Sequence, residues 1–150
     1  MKKITALLLI LSLVLVMLTG CGSSNKNSDA GSDNVIRIGV YEPSSGDNGA
    51  GGKQEVLGIE FANTIVNKVE LGGKTYDIKL EIVDNESSND KGPTAAATLV
   101  GKKCSIVLGS YGSSVSIAAS DVFGNAGIPV IGVSCTNPQV TLGNTHYFRI

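Results

Sequence analysis

Tryptophan is absent from this chain of 150 residues, histidine occurs once (His146), and aromatic residues make up 5% of the sequence. One histidine leaves no His-based metal set and a single candidate partner for a serine or cysteine nucleophile. A basic excess is also missing, with 12 Lys and Arg against 13 Asp and Glu. Removal of residues 1–20, which hold Lys2 and Lys3, would take the formal net charge from −1 to −3. That balance argues against nucleic acid, which selects for a basic face. The nucleotide motifs are lacking as well. In "GDNGAGGKQ" five residues separate Gly46 from Gly52, and Gln54 follows Lys53. A phosphate loop needs four residues there and a Ser or Thr after the lysine. No G-x-G-x-x-G occurs, and a plain mobile loop remains open for this stretch. The hydrolase elbow G-x-S-x-G fails too, because "GSYGS" places Tyr111 where its serine belongs. His146 opens a strand whose start lies at the opposite edge of the predicted sheet from Ser110. No catalytic residue, metal or cofactor is therefore expected.

What is present begins with an address. "MKKITALLLILSLVLVMLTGC" has a basic start, a short apolar run from Ile4 to Met17 and a small-residue end. That pattern reads as a secretory signal rather than a membrane-spanning helix. Its Leu18-Thr19-Gly20-Cys21 ending resembles the lipobox of bacterial lipoproteins, which implies cleavage after residue 20 and lipid on Cys21. Residues 21–34 hold no large apolar side chain and read as a flexible tether. The 116 residues from 35 to 150 suffice for one small domain. The other cysteines, Cys104 and Cys135, fall at opposite ends of neighbouring predicted strands. A strand length of roughly 17 Å would separate them, too far for the Cα spacing of about 7 Å that a disulfide tolerates.

From Val35 onward, strand and helix patterns alternate. "VIRIGVY" predicts a first strand. "KQEVLGIEFANTIVNKVE" predicts a helix whose buried face holds Leu57, Phe61 and Ile65, ended by "LGGK". "YDIKLEIVD" predicts a second strand, and Pro93 starts a second helix. "CSIVLG" reads as a strand buried on both faces. "SSVSIAASDVFGNAG" reads as a helix closed by Gly127, "IPVIGVS" as a fourth strand and "HYFRI" as the start of a fifth. The expected fold is α/β, an open parallel sheet with helices on both faces. Ligands of such sheets sit beyond the carboxyl ends of the strands. Three loops lie there, at 42–52, 110–113 and 134–138.

Two of those loops share a chemistry. "GSYGSSVS" and "GVSCTNP" each follow a buried strand with hydroxyls. Ser113 and Ser114 stand where a helix begins, where serine caps free N–H groups and where the helix dipole attracts an anion. Neighbouring parallel strands would bring Ser113 close to Thr136. Two hydroxyls with free N–H groups suit a carboxylate, and the carbonyl of Ser134 suits an ammonium. Together they suit an amino acid.

"IRIGVYEPSSG", "GIEFAN" and above all "AASDVFGNAGIPVI" with the following "S-x-T-N-P" turn resemble the solute-binding proteins of branched-chain amino acid ABC transporters. The resemblance runs from Ile36 to Ile150. It implies the first lobe of a type I periplasmic-binding-protein fold, an extracytoplasmic lipid-anchored location, an amino acid ligand and an ABC permease as partner. It also implies residue roles. Ser113 would bind the ligand carboxylate, the Ser134 carbonyl the ammonium, and Thr136 both, with Tyr111 and Gly112 flanking them. Gly51 falls where many relatives carry an aromatic residue over the ligand. A sensor module of the same fold, or a binder of amides, urea or aromatic acids, shares the same lobe. Family members have two lobes, whereas Ile150 falls inside a predicted strand. A fragment or a truncated product is therefore expected.

Overall fold

The computed structural model describes residues 34–150. The expected signal segment 1–20, Cys21 and the expected tether as far as residue 33 lie outside the described residues. The central strand β1, Val35–Glu42, runs parallel to β3, Lys74–Asp84, on one side and to β4, Ile106–Leu108, on the other. Its last four residues are all buried, as an apolar strand flanked on both edges and both faces must be. β5, Val130–Gly132, and β6, Tyr147–Arg149, extend the sheet in parallel. The sixth strand, β2 (Lys68–Leu71), pairs antiparallel with β3, giving the order β2-β3-β1-β4-β5-β6.

β2 corrects the sequence reading. Residues 68–71 were expected to close the first helix, but that helix, α1, spans Gly49–Ile65. The Gly72-Gly73 pair turns a hairpin into β3 instead of ending a helix. The expected purely parallel sheet thus carries one antiparallel edge.

The buried face of α1 is a second correction. Leu57, Phe61 and Ile65 are 57%, 67% and 67% exposed. The face turned to the sheet carries Gly52, Glu55, Val56, Ile59 and Asn63, all buried or half-buried. Gly52 sets this rotation. A β-carbon there would overlap the carbonyl oxygen and ring of Pro43, so the helix closes on the chain through its smallest residue. Beside α1 a cavity of about 480 Å³ remains, lined by Ile59, Ala62, Leu108 and Val133 among others.

The dense core lies on the other face. There α2, Gly92–Gly101, and α3, Ser113–Ala126, pack on each other and on the sheet. Pro93 occupies the first turn of α2, as its fixed φ favours. Leu99, Val107, Val115, Phe123 and Val130 are fully or almost fully buried there. Tyr41 meets Phe123 edge to face, with ring centroids 5.5 Å apart and planes at 84°. Such a pair adds about 1 kcal/mol beyond its area burial. Cys104 and Cys135 are both buried free thiols.

Candidate functional site

Because β1, β4 and β5 are parallel, their carboxyl ends share one edge. The chain leaves that edge through residues 43–48, 109–112 and 133–137. Each segment is held from below by buried or half-buried polar side chains. In the middle one, the Tyr147 hydroxyl donates to the Gly109 carbonyl at 2.7 Å. Asn85, fully buried, donates from Nδ2 to Ser110 Oγ at 2.9 Å and to the Tyr41 carbonyl at 3.3 Å. Ser116 Oγ accepts from the Ser110 N–H at 3.4 Å and donates to the Gly112 carbonyl at 3.1 Å. The Tyr111 N–H donates to Glu42 Oε2 at 2.7 Å. Gly109 opens this turn with φ 118°, and a β-carbon there would run into the Tyr41 carbonyl.

Asp84 fixes the first segment. Its carboxylate accepts from Ser44 N at 2.8 Å, Ser45 Oγ at 2.7 Å and Glu86 N at 2.8 Å. Burial pushes this carboxyl up, but those hydrogen bonds outweigh it and leave the group at about 2. Arg149 fixes the third segment. Nη1 donates to the carbonyls of Thr136, at 2.7 Å, and Cys135, at 3.4 Å.

The expected site residues fall on this edge as follows. Ser113 Oγ accepts from the Asn137 N–H at 3.2 Å, so the two hydroxyl-bearing turns do meet. Thr136 is exposed beside that contact, and Ser134 is half-buried with its Oγ unpartnered among the described residues. Cys135 between them is buried, and burial pushes its thiol up. Gly112 and Tyr111 stand at the mouth of α3.

The capping role expected of Ser113 and Ser114 is not what forms. Gly112 is the N-cap, extended at φ −86° and ψ 118°, and no side chain caps the helix. Ser113 is already the first helical residue, and its Oγ accepts from the Asn137 N–H, which leaves its O–H to donate elsewhere. The first N–H groups of α3 are therefore uncapped by any side chain, which is the arrangement that attracts an anion.

Gly51 takes on a specific meaning. A β-carbon there would lie 2.5 Å from Tyr111 Cε2 and 2.6 Å from Cζ. The Tyr111 ring, 41% exposed, fills the space that a side chain at 51 would use. The aromatic surface over the edge thus comes from the second loop.

Sequence reasoning missed the support beneath the site: Glu42, Asn85, Ser116, Tyr147 and Arg149. A signal existed for two of them. Glu42 is a charge at the end of a strand otherwise fit for burial, and Asn85 follows a strand directly in "VDNES". The other three pass as ordinary helix and strand residues. Glu42 is 1% exposed, and burial, followed by the neighbouring Glu55 carboxyl, pushes its own carboxyl up to about 9.

Residues 35–149 match the periplasmic binding protein family. The chain belongs to that family. A Leu/Ile/Val-binding protein homolog of Brucella melitensis is 31% identical over 115 residues, which cover 76% of this chain and 31% of that protein. The branched-chain amino acid transporter substrate-binding protein LivJ of Streptococcus pneumoniae, solved in complex with isoleucine, superposes with a TM-score of 0.68 at 27% identity. That match covers 77% of this chain and 33% of LivJ. A solute-binding protein of Rhodopseudomonas palustris, solved with 3,4-dihydroxybenzoic acid, gives a TM-score of 0.70 at 19% identity, covering 78% of this chain and 32% of that one. The last shares the fold. The chain spans about a third of the length of these relatives, and its architecture is that of a type I periplasmic-binding-protein lobe.

Proposed function

We propose that this chain supplies the first lobe of an extracytoplasmic, lipid-anchored binding protein that captures a branched-chain amino acid for an ABC permease. The observation that carries the reading is the convergence of the uncapped α3 N-terminus with the Ser134–Thr136 turn through the 3.2 Å contact of Asn137 with Ser113. The ligand carboxylate would take the N–H groups of α3 and the hydroxyls of Ser113 and Thr136. Its ammonium would take the Ser134 carbonyl. The similar proteins named for Leu, Ile and Val and the isoleucine complex of LivJ support that ligand class. Family membership supports the extracytoplasmic location, and the lipobox-like Leu18–Cys21 supports the anchor.

The Tyr111 ring at the same edge favours a second reading, an aromatic acid, in line with the dihydroxybenzoate complex of a protein of the same fold. Both ligands present a carboxylate to α3 and differ in the ammonium. Calorimetry on the protein from its whole reading frame separates them, using L-leucine, L-isoleucine, L-valine and 3,4-dihydroxybenzoate. Heat of binding from the amino acids supports the first reading, and heat from the benzoate alone supports the second. Binding of neither class refutes the carboxylate site.

A further inference from the structure

The Glu42 carboxyl plays no part in the ligand contacts above, yet it lies directly beneath them. It is 1% exposed, and its Oε2 accepts the Tyr111 N–H at 2.7 Å. Its Oε1 has no donor from nitrogen or hydroxyl among the described residues, nor has Oε2 of Glu55, the carboxyl that reaches it from α1. Two carboxyls that meet out of water cannot both be ionised at little cost, and the arrangement that satisfies them shares one proton. Among the described residues, the other ionisable groups that interact with Glu42 supply no cation. They are Tyr41 on the same strand, Tyr147 from β6 and Cys135 from the turn after β5, all kept neutral by burial.

We infer that Glu42 is a positioning residue for the candidate ligand site, a proton shared with Glu55 holding it in place to anchor the Tyr111 N–H and so the turn that delivers Ser113. The inference rests on the proposed site. The anchor matters because residues 110–112 run straight into α3, whose first N–H groups depend on the direction in which Gly112 enters the helix. Loss of the shared proton at alkaline pH sets the buried Glu42 carboxylate against that of half-buried Glu55. The repulsion between them works against the Tyr111 N–H, which by itself favours the ionised Glu42, and so loosens the turn. The carboxyl's value of about 9 puts that event in the range where it can be titrated.

The test uses the full-length protein with Glu42→Gln, Glu42→Leu and Glu55→Gln. Glutamine at 42 can still accept the Tyr111 N–H, and its amide can donate to Glu55 without titrating. Leucine has neither ability. Two quantities are read: hydrogen exchange at the Tyr111 amide, and L-isoleucine affinity at pH 7 and pH 10. Glu42→Gln is expected to keep wild-type exchange and affinity at pH 7. Glu42→Leu is expected to speed Tyr111 exchange about tenfold and weaken isoleucine about tenfold. Between pH 7 and 10 the isoleucine ammonium itself loses its proton, equally for every variant. The informative quantity is thus the extra alkaline loss in wild type, expected to vanish in Glu42→Gln and Glu55→Gln. Unchanged Tyr111 exchange in Glu42→Leu overturns the inference. So does the same alkaline profile in wild type and Glu42→Gln, a comparison that stands even if the leucine variant fails to fold. If wild type binds no isoleucine, the ligand reading fails, and the pH dependence of Tyr111 exchange in wild type and Glu42→Gln still decides the role of Glu42.

Discussion

Asn85→Asp changes one buried atom beneath the site from donor to acceptor with almost no change in shape. Asn85 is fully buried, and its Nδ2 donates to Ser110 Oγ at 2.9 Å and to the Tyr41 carbonyl at 3.3 Å. Its Oδ1 accepts from Ser87 N at 3.1 Å and would go on doing so as a carboxylate oxygen. At neutral pH the substitution removes the bond donated to the Tyr41 carbonyl, contributing about 1 kcal/mol, and forces the Ser110 hydroxyl to turn from acceptor to donor. It leaves the Tyr41 carbonyl facing an acceptor, and it puts a charge at a fully buried position whose side-chain partners among the described residues include no cation. The expected loss of stability is about 2–4 kcal/mol at pH 7. Burial raises the folded-state pKa of the new carboxyl above its unfolded value of about 3.9. Stability is thus recovered fully below that unfolded value and is lost as pH rises through the folded one. In the protonated form the new residue regains one donor. Urea unfolding followed by far-UV circular dichroism at pH 4.5 and pH 7 reads both effects. A cost below about 1 kcal/mol at pH 7, or a cost that does not shrink toward pH 4.5, would refute the argument that donors beneath the site hold it together.

Other substitutions probe the edge and the core. Thr136→Ala should weaken amino acid binding by about 1–3 kcal/mol through loss of a charge-assisted hydrogen bond. Ser114→Ala should cost less, since Ser113 rather than Ser114 touches the partner turn; calorimetry giving equal small effects would sink the assignment. Phe123→Ala removes a fully buried ring packed on Tyr41 and should cost about 3–5 kcal/mol in urea unfolding, with a cost under 1 kcal/mol contradicting the placement of the core. Hydrogen bonds from Lys102 and Lys79 hold the Glu81 carboxyl down at about 2. Its contribution is therefore present above its unfolded value near 4.3 and lost as pH falls toward 2. Melting temperatures of Glu81→Gln should accordingly fall less steeply from pH 5 to pH 2 than those of wild type, and parallel curves would remove Glu81 from the acid limb.

The alternation of strand and helix patterns and the meeting of the two hydroxyl turns were legible in the sequence because each rests on local signals. An apolar run ends, a Gly-Ser cluster follows, and parallel strands carry such clusters to one edge. The face of α1 was not legible. Leu57, Phe61 and Ile65 form the apolar stripe that periodicity selects, yet the rotation of the helix is set by the close approach of Gly52 to Pro43, a tertiary fact. The Gly72-Gly73 hairpin carried a readable signal, since such pairs between alternating residues mark tight turns. Val66 and Val69 continue the apolar pattern of the helix up to it and mask that signal. Glycine as the cap of α3 was hidden for another reason. Serine is the better capping residue by propensity, but at position 113 its hydroxyl accepts instead from a turn 24 residues away.

The buried polar groups explain why a loop edge can present a precise site. Loops at a sheet edge lack the ladder that fixes strands, and each backbone group turned inward must find a partner. Here the 109–112 turn finds four side chains from four other segments: Tyr147 from β6, Asn85 from the end of β3, Ser116 from α3 and Glu42 from β1. Buried polar networks hold when every member is satisfied and fail sharply when one is not. Such a turn is therefore closer to two defined states than to a compliant loop. In the proposed site the N–H groups of α3 would be aimed by it before a ligand arrives, which lowers the ordering cost of binding. Under the proposed function, Ser113 and Thr136 could accordingly be small hydroxyl residues, since direction would come from the polar groups below and the surface side chains would need only to complete the contact.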